Sequence, residues 1–143
     1  MFLTQKDKNI IFGISLLVVI IIISIIVFIV FNYSRAKDLE VVSQSKRFTN
    51  SLEMYFSKFN DYPVIEKVNG DSILLLTENG FNEEGKVVYF KKSFKYSRPV
   101  IFVSERNGYS LEFNLNNKWP LWDLNTRKGG YCLIKEKMIM ECK

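Results

Sequence analysis

The 143-residue sequence contains no histidine and only two cysteines, Cys132 and Cys142. Histidine is the commonest general base and metal ligand, and two thiols alone make a poor metal site. The sequence also lacks a glycine-rich phosphate loop and a Gly-x-Ser-x-Gly nucleophile motif. We therefore expect no enzymatic activity, no cofactor, no metal site and no small-molecule substrate.

Proline and glycine are also scarce, and neither occurs between Gly13 and Pro63. Charge is missing altogether from residues 10–31, which read IIFGISLLVVIIIISIIVFIVF. About 20 consecutive apolar residues match the roughly 30 Å hydrocarbon core of a bilayer, whereas strands seldom exceed about 10 residues. The sequence predicts a transmembrane helix over residues 10–34 that contacts the lipid bilayer. Its anchor residues include Ile10, Leu17, Ile23 and Phe31.

The alternative for this segment is a cleaved secretory signal, for which Ser34–Ala36 is a weak cleavage site. The apolar core of such a signal is normally about 7–15 residues long, which is shorter than the run found here. We therefore expect the segment to be retained as an anchor. Residues 1–9 then form a short, charged, leader-like segment in the cytoplasm.

A second helical pattern follows the apolar run without a break. Apolar and small residues recur at three- and four-residue steps along one helix face, while charged residues such as Glu53 and Lys58 fall mostly elsewhere. The sequence predicts one continuous helix from about Ile10 to Phe59, with an amphipathic stalk over residues 35–62. Pro63 disfavours a helical Tyr62 and so ends it. The predicted buried face consists of Val41, Ser45, Phe48, Leu52, Tyr55, Phe56 and Phe59.

Beyond Pro63 the apolar period falls towards two, which is typical of strands. Asn107-Gly108 lies between two such runs and predicts a hairpin with a type I′ turn, whereas Ile73–Thr77 fits a helix or a strand equally well. An amphipathic helix and a half-apolar sheet each have an apolar face that must be buried against another element. We therefore expect an α+β fold in which the helix packs on a small antiparallel sheet formed by residues 63–143. The predicted strands are Lys86–Lys91, Pro99–Glu105, Tyr109–Leu115, Tyr131–Lys135 and Met138–Cys142.

Residues 35–63, RAKDLEVVSQSKRFTNSLEMYFSKFNDYP, resemble the stalk of the type IV pilin and type II secretion pseudopilin superfamily. The resemblance implies a long N-terminal helix on a β head domain, a structural or assembly role, and partners among other pilin-like subunits or assembly proteins. The matching positions are Arg35, Asp38, Leu39, Leu52, Glu53, Tyr55, Phe56, Tyr62 and Pro63.

The N-terminal signal of that superfamily is only partly present. Aligning Leu16–Ile20, LLVVI, with the family pattern puts Ile10 where the leader's terminal glycine is expected and Ser15 where the glutamate is expected. The processing peptidase needs a small residue at the cut, and the glutamate normally pairs with a neighbouring subunit's amine inside the membrane. We therefore expect this chain to escape standard prepilin processing and to be a poor bulk filament subunit.

The two cysteines flank a predicted hairpin centred on Lys137. With a three-residue loop, Cys132 lies opposite Cys142 and Ile134 opposite Met140, at a separation that a disulfide accepts. A redox or metal-binding pair is the functional alternative. The resemblance implies a disulfide here, since pilin-like proteins often close their C-terminal region in this way.

A disulfide would help to orient the chain in the membrane. Lys6 and Lys8 precede the anchor while Arg35 and Lys37 follow it, so positive charge barely discriminates between the two orientations. Disulfides form in oxidising compartments. We therefore expect a single-pass cell membrane protein with a cytoplasmic N-terminus and an exterior C-terminal domain.

Basic and aromatic residues interleave in one part of the head domain. This pattern admits a groove for single-stranded DNA, with bases stacked on rings and lysines along the phosphates. Alternation is also what a half-buried strand pair shows, and that interpretation is favoured because Glu83 and Glu84 precede the run. The candidate contact residues are Lys91, Lys92, Phe94, Lys95, Tyr96 and Arg98.

The Trp119–Asp123 segment, WPLWD, presents two tryptophans around a proline. A contact surface is one interpretation, since tryptophan is enriched at interaction sites, but a cap on the end of the apolar core is favoured. Asp123 and Asn125 are too few oxygen ligands for calcium.

Taken together, these patterns predict a membrane-anchored minor pilin or pseudopilin of a type IV pilus, type II secretion or DNA-uptake system. The alternative is a stand-alone anchored exterior module that binds DNA or an acidic polymer. Removing Lys6, Lys8 and Asp7 from the totals of 20 basic and 15 acidic residues leaves 18 and 14 for residues 35–143. That excess is too small to indicate nucleic-acid binding by itself.

Overall fold

The computed structural model describes residues 5–92, 95–116 and 130–142, with side chains from Ile11 onward. The chain divides into two compact units, Met1–Ser34 and Arg35–Lys143. A single helix, α1, spans Gln5–Phe59 and contributes to both units. The predicted helix from about Ile10 to Phe59 is therefore confirmed, with five further residues at its start.

The end of α1 follows from the residues after it. Asn60 adopts a left-handed conformation with φ of 58°, and its N–H donates to the carbonyl of Phe56 at 2.7 Å. Asparagine tolerates this conformation better than most residues, so it suits the position directly after a helix. Pro63 then keeps Tyr62 out of the α region, and the chain continues in extended form into the first strand.

Eight strands follow in two antiparallel sheets. The larger sheet has the order β1-β5-β6-β7-β8 and the smaller one the order β3-β2-β4. Two short 3₁₀ helices, Gly70–Ser72 and Glu136–Met138, lie between strands. This arrangement confirms the α+β fold class. The strands are β1 Ile65–Asn69, β2 Leu75–Thr77, β3 Gly80–Phe81, β4 Val88–Lys91, β5 Val100–Glu105, β6 Gly108–Asn114, β7 Tyr131–Lys135 and β8 Ile139–Cys142.

All five predicted strands are present with ends shifted by at most two residues, and the undecided Ile73–Thr77 segment contributes β2. Two strands, β1 and β3, were not predicted from the sequence. β1 pairs with β5 through an irregular register between Ile65 and Val68, which blurs its alternation. β3 is only two residues long and so offers no periodicity.

The hairpin between β5 and β6 is confirmed, but its predicted turn type is wrong. Glu105 pairs with Gly108, so Arg106 and Asn107 form the connection. A type I′ turn needs positive φ at both central residues, and neither of these has it. The carbonyl of Arg106 accepts the Tyr62 N–H at 3.1 Å, so this turn is held by the segment that follows α1.

Residues 41–56 of α1 supply the helical side of the core. Phe48 packs edge-on against Phe90 and Phe102, with ring centroids 4.9 and 4.8 Å away, and Tyr55 packs against Tyr89 at 5.5 Å. The predicted face is buried from Val41 to Tyr55, Phe56 is half-buried, and Phe59 at the helix end is exposed.

The last hairpin has the predicted register. Cys132 lies opposite Cys142 and Ile134 opposite Met140, across a connection whose Lys137 and Met138 have positive φ. A disulfide joins Cys132 to Cys142. The predicted pairing is therefore present, and it ties β8 at the sheet edge to β7.

Candidate functional site

The described side chains of the N-terminal unit lie on a largely exposed and apolar helix. Every described side chain from Ile11 to Phe31 is exposed, including the predicted anchor residues Leu17, Ile23 and Phe31. Ile10 lies in α1, but its side chain is outside the described residues. By length and composition this helix can cross a membrane. Exposure of so much apolar surface to water is unfavourable, whereas lipid accepts it at no cost.

Two polar side chains in this part of α1 donate hydrogen bonds to their own helix. Ser24 Oγ donates to the carbonyl of Ile20 and Asn32 Nδ2 to that of Phe28, both at 2.9 Å. Where no water is present, a polar side chain must find its partner within the protein. These two residues are therefore compatible with an apolar environment without any partner helix.

The next part of α1 carries a buried carboxylate. Asp38 is 2% exposed, and its Oδ1 lies 2.9 Å from Arg98 Nε and 3.2 Å from the backbone N–H of Asn116, which donates to it. Beside this pair, Ser97 Oγ donates to the carbonyl of Lys37 at 3.1 Å. These contacts attach the segment around residue 98 to the first turns of α1 in the C-terminal unit.

A second ion pair lies close by. Lys92 Nζ, 6% exposed at its side chain, pairs with Asp71 and lies 4.5 Å from the centre of the Tyr96 ring. The Asp71 carboxylate also accepts the Tyr96 N–H at 3.1 Å. Partial burial works against ionisation, but these hydrogen bonds prevail and lower the pKa of Asp71. The buried Tyr96 ring has its hydroxyl pKa raised to about 12 by desolvation.

The predicted basic and aromatic contact residues therefore occupy different environments. Lys92 and Arg98 are paired with Asp71 and Asp38, and Tyr96 is buried. Lys91 and Lys95 are exposed. Phe94 lies outside the described residues, as do Trp119–Asp123 and Asn125. Binding of DNA or an acidic polymer by these residues stays a prediction.

Sequence reasoning missed the role of Glu53, a carboxylate with several hydrogen-bond partners among the described residues. Glu53 Oε1 accepts hydrogen bonds from the Tyr109 hydroxyl at 2.9 Å and from the Lys137 N–H at 2.8 Å. Both Glu53 oxygens lie within 3.2 Å of the Tyr62 hydroxyl. Burial, reinforced by this carboxylate, raises the pKa of both tyrosines. Glu53 falls off the apolar stripe, and its place in the pilin-like motif was the available signal.

An open cleft of about 390 Å³ lies at the end of α1, where four connections converge: α1–β1, β2–β3, β3–β4 and β5–β6. Its lining includes charged residues of both signs, Asp61, Glu83 and Arg106, beside Tyr55 and Asn79. Among the described residues, no group of three or more acidic or cysteine side chains is placed to hold a metal ion.

Comparison with known proteins finds no matching family model, no matching curated protein and no matching solved structure. The fold class therefore stands on the structure alone. The likeness to the pilin superfamily is carried by residues 35–63 and by the packing of a helix on an antiparallel sheet.

Proposed function

We propose that this chain is a single-pass membrane protein that serves as a minor, pilin-like assembly component of a type IV pilus, type II secretion or DNA-uptake system. The observation that carries the proposal is α1. One helix supplies both an exposed apolar segment and, further along, the buried face of a disulfide-closed α+β unit.

This division of α1 suits an assembly subunit. The apolar segment can pack beside other apolar helices in the membrane, while the folded unit offers surfaces to soluble partners. The disulfide supports an exterior position for that unit, because such bonds persist in oxidising compartments. The N-terminus then lies in the cytoplasm.

Site-specific photo-crosslinking in the native host tests the proposal. A photoreactive amino acid replaces either Ile22 in the apolar segment or Met54, which is exposed in the amphipathic part of α1. We expect adducts with pilin-like subunits or with assembly proteins, identified by mass spectrometry. The Ile22 position probes helix packing, and the Met54 position probes contacts outside the membrane.

Adducts with lipid alone at Ile22, together with no protein adduct at Met54, would contradict an assembly role. The stand-alone module then gains support from Lys91 and Lys95, which are exposed. If the protein is such a module, it should bind single-stranded DNA with an affinity that falls steeply as the salt concentration rises, because binding releases counterions from the phosphates.

A further inference from the structure

The cleft at the end of α1 lies within the C-terminal unit and brings together charges of opposite sign. Arg106 lines it from the turn between β5 and β6, and Asp61 and Glu83 line it from the connections α1–β1 and β3–β4. No ion pair within 4.0 Å joins Arg106 to either of these two described carboxylates. All three side chains are exposed, so a ligand in the cleft can contact each of them without separating one from another.

The backbone around these charged residues is held in place by hydrogen bonds. The Arg106 carbonyl accepts the Tyr62 N–H at 3.1 Å, which ties this turn to the residue directly after Asp61. The Glu83 carbonyl accepts a hydrogen bond from Thr77 Oγ1, also at 3.1 Å. Binding of a ligand therefore needs to order only the ends of the charged side chains, which lowers the entropic cost of association.

The walls of the cleft supply apolar contacts and backbone hydrogen-bonding groups. The buried Tyr55 and the half-buried Phe81 line it beside the exposed Val64. Ile65 and Gly80 also line it, and they belong to β1 and β3, which are edge strands of the two described sheets. Edge strands present backbone N–H and C=O groups that no neighbouring strand uses, and an extended peptide can bind to such groups.

The volume and the charges of the cleft together limit its ligand. A volume of about 390 Å³ falls in the range of about 300–1,000 Å³ that is typical of small-ligand sites. A free amino acid carries both of its charges on one carbon atom, whereas a short peptide carries them at opposite ends. The peptide suits the separation of more than 4.0 Å between Arg106 and the two carboxylates. An acidic polymer is disfavoured because Asp61 and Glu83 would repel it.

We propose that this cleft binds short peptides that carry a free carboxylate and a free amino group. Arg106 pairs with the carboxylate, and Asp61 and Glu83 accept hydrogen bonds from the ammonium group. The peptide backbone lies between these charges, beside the edges of β1 and β3. This binding site goes beyond the proposed function and does not depend on it, because the cleft belongs to the folded C-terminal unit.

Isothermal titration calorimetry of the full-length protein in mild detergent tests the proposal, with trialanine as the probe. Three forms of the probe are compared: trialanine with both termini free, N-acetylated trialanine and trialanine amide. We expect saturable binding of the free form. Each blocked form should bind about fivefold more weakly, because it loses one ion pair with an exposed side chain of the cleft.

Substitutions show whether each terminus binds where the proposal puts it. Arg106→Gln should weaken binding of free trialanine about fivefold and leave binding of trialanine amide unchanged, because the amide has already lost the ion pair. The double variant Asp61→Asn/Glu83→Gln should behave in the same way towards the free and N-acetylated forms. Arg47→Gln is the matched control, since Arg47 is exposed on α1 and does not line the cleft. It should bind all three forms like the unmodified protein.

Two results would overturn the proposal: no saturable binding of free trialanine to the unmodified protein, or binding that is the same for the free and amidated forms and for Arg106→Gln and Arg47→Gln. Equal urea midpoints of the variants and the unmodified protein show that each variant is folded. Neither result bears on membrane anchorage or on an assembly role, which the photo-crosslinking experiment tests separately.

Discussion

Glu53 connects parts of the C-terminal unit that are far apart in the chain. Its carboxylate accepts hydrogen bonds from the hydroxyls of Tyr62 and Tyr109 and from the backbone N–H of Lys137. These groups belong to the segment after α1, to β6 and to the last hairpin. Hydrogen bonds to a charged acceptor are stronger than those between neutral groups. One side chain therefore stabilises all three of these parts at once.

Glu53→Gln should lower the free energy of unfolding by about 2 kcal/mol. The amide keeps one acceptor oxygen, and its NH₂ group cannot accept from the Tyr62, Tyr109 or Lys137 donors. Urea-induced unfolding of the full-length protein in mild detergent measures the change. Glu105→Gln, at an exposed position in β5, is the control and should leave the midpoint unchanged. Equal midpoints for both variants would refute the role of Glu53.

Tyr96 predicts a dependence of stability on alkaline pH. Burial raises the pKa of its hydroxyl to about 12, above the value of 10.0 expected for an unperturbed tyrosine. The folded state thus binds this proton more tightly than the unfolded state does. Its contribution to stability is complete below about pH 10 and is lost progressively as the pH rises from about 10 to 12.

Unfolding measured by urea titration between pH 8 and 11.5 checks this dependence. Tyr96→Phe should reduce the downward slope above pH 10 by up to about 1.4 kcal/mol per pH unit. A residual slope is expected, because burial also raises the pKa of Tyr62 and Tyr109. A slope unchanged by Tyr96→Phe would show that this hydroxyl ionises as freely in the folded state as in the unfolded one.

The strand β8 is joined to its neighbour β7 by the Cys132–Cys142 disulfide. It lies at the edge of the five-stranded sheet and pairs only with β7 among the described strands. An edge strand of four residues gains little from its own ladder. The Cys132–Cys142 disulfide closes a loop of about ten residues and so holds β8 in register.

Reduction of this disulfide should lower the free energy of unfolding by about 2–3 kcal/mol, because the unfolded chain regains the entropy of the open loop. Urea unfolding with and without dithiothreitol measures the loss. The double variant Cys132→Ala/Cys142→Ala is the control and should not respond to the reductant. An unmodified protein with the same midpoint in both conditions would contradict a stabilising role.

At the scale of the whole molecule, the exposed apolar part of α1 is long and apolar enough to cross a membrane. Insertion of about 20 aliphatic residues is favourable by a few tenths of a kcal/mol each. Whether the segment before them is removed depends on local chemistry. In the alignment that the proposed pilin likeness implies, Ile10 stands where a prepilin peptidase needs a small residue, and Ser15 stands where the carboxylate that pairs with a neighbouring subunit is expected.

We therefore expect the membrane-extracted protein to retain its N-terminal segment and a mass near 16.8 kDa. Intact-mass measurement after expression in a host with a prepilin peptidase checks this. The double variant Ile10→Gly/Ser15→Glu supplies both family residues and should acquire a new N-terminus at Ile11. Cleavage of the unmodified chain at that position would overturn the expectation.

Much of the fold could be predicted because it depends on residues close together in sequence. Helical spacing from Val41 to Tyr55 predicted the buried face of α1, and the hairpin around Lys137 predicted that Cys132 faces Cys142. The strand β1 could not be predicted, since its place at the sheet edge depends on pairing with β5 some 35 residues away.

The sequence by itself determined the apolar helix, its amphipathic continuation, its end at Phe59 and the last hairpin, because steric and hydrophobic preferences act over a few residues. Only the tertiary structure decided which charged groups meet. Asp38 pairs with Arg98, Asp71 with Lys92, and Glu53 accepts the hydroxyl of Tyr109. A polar group is buried only where a partner compensates its lost hydration, and folding alone brings such distant partners together.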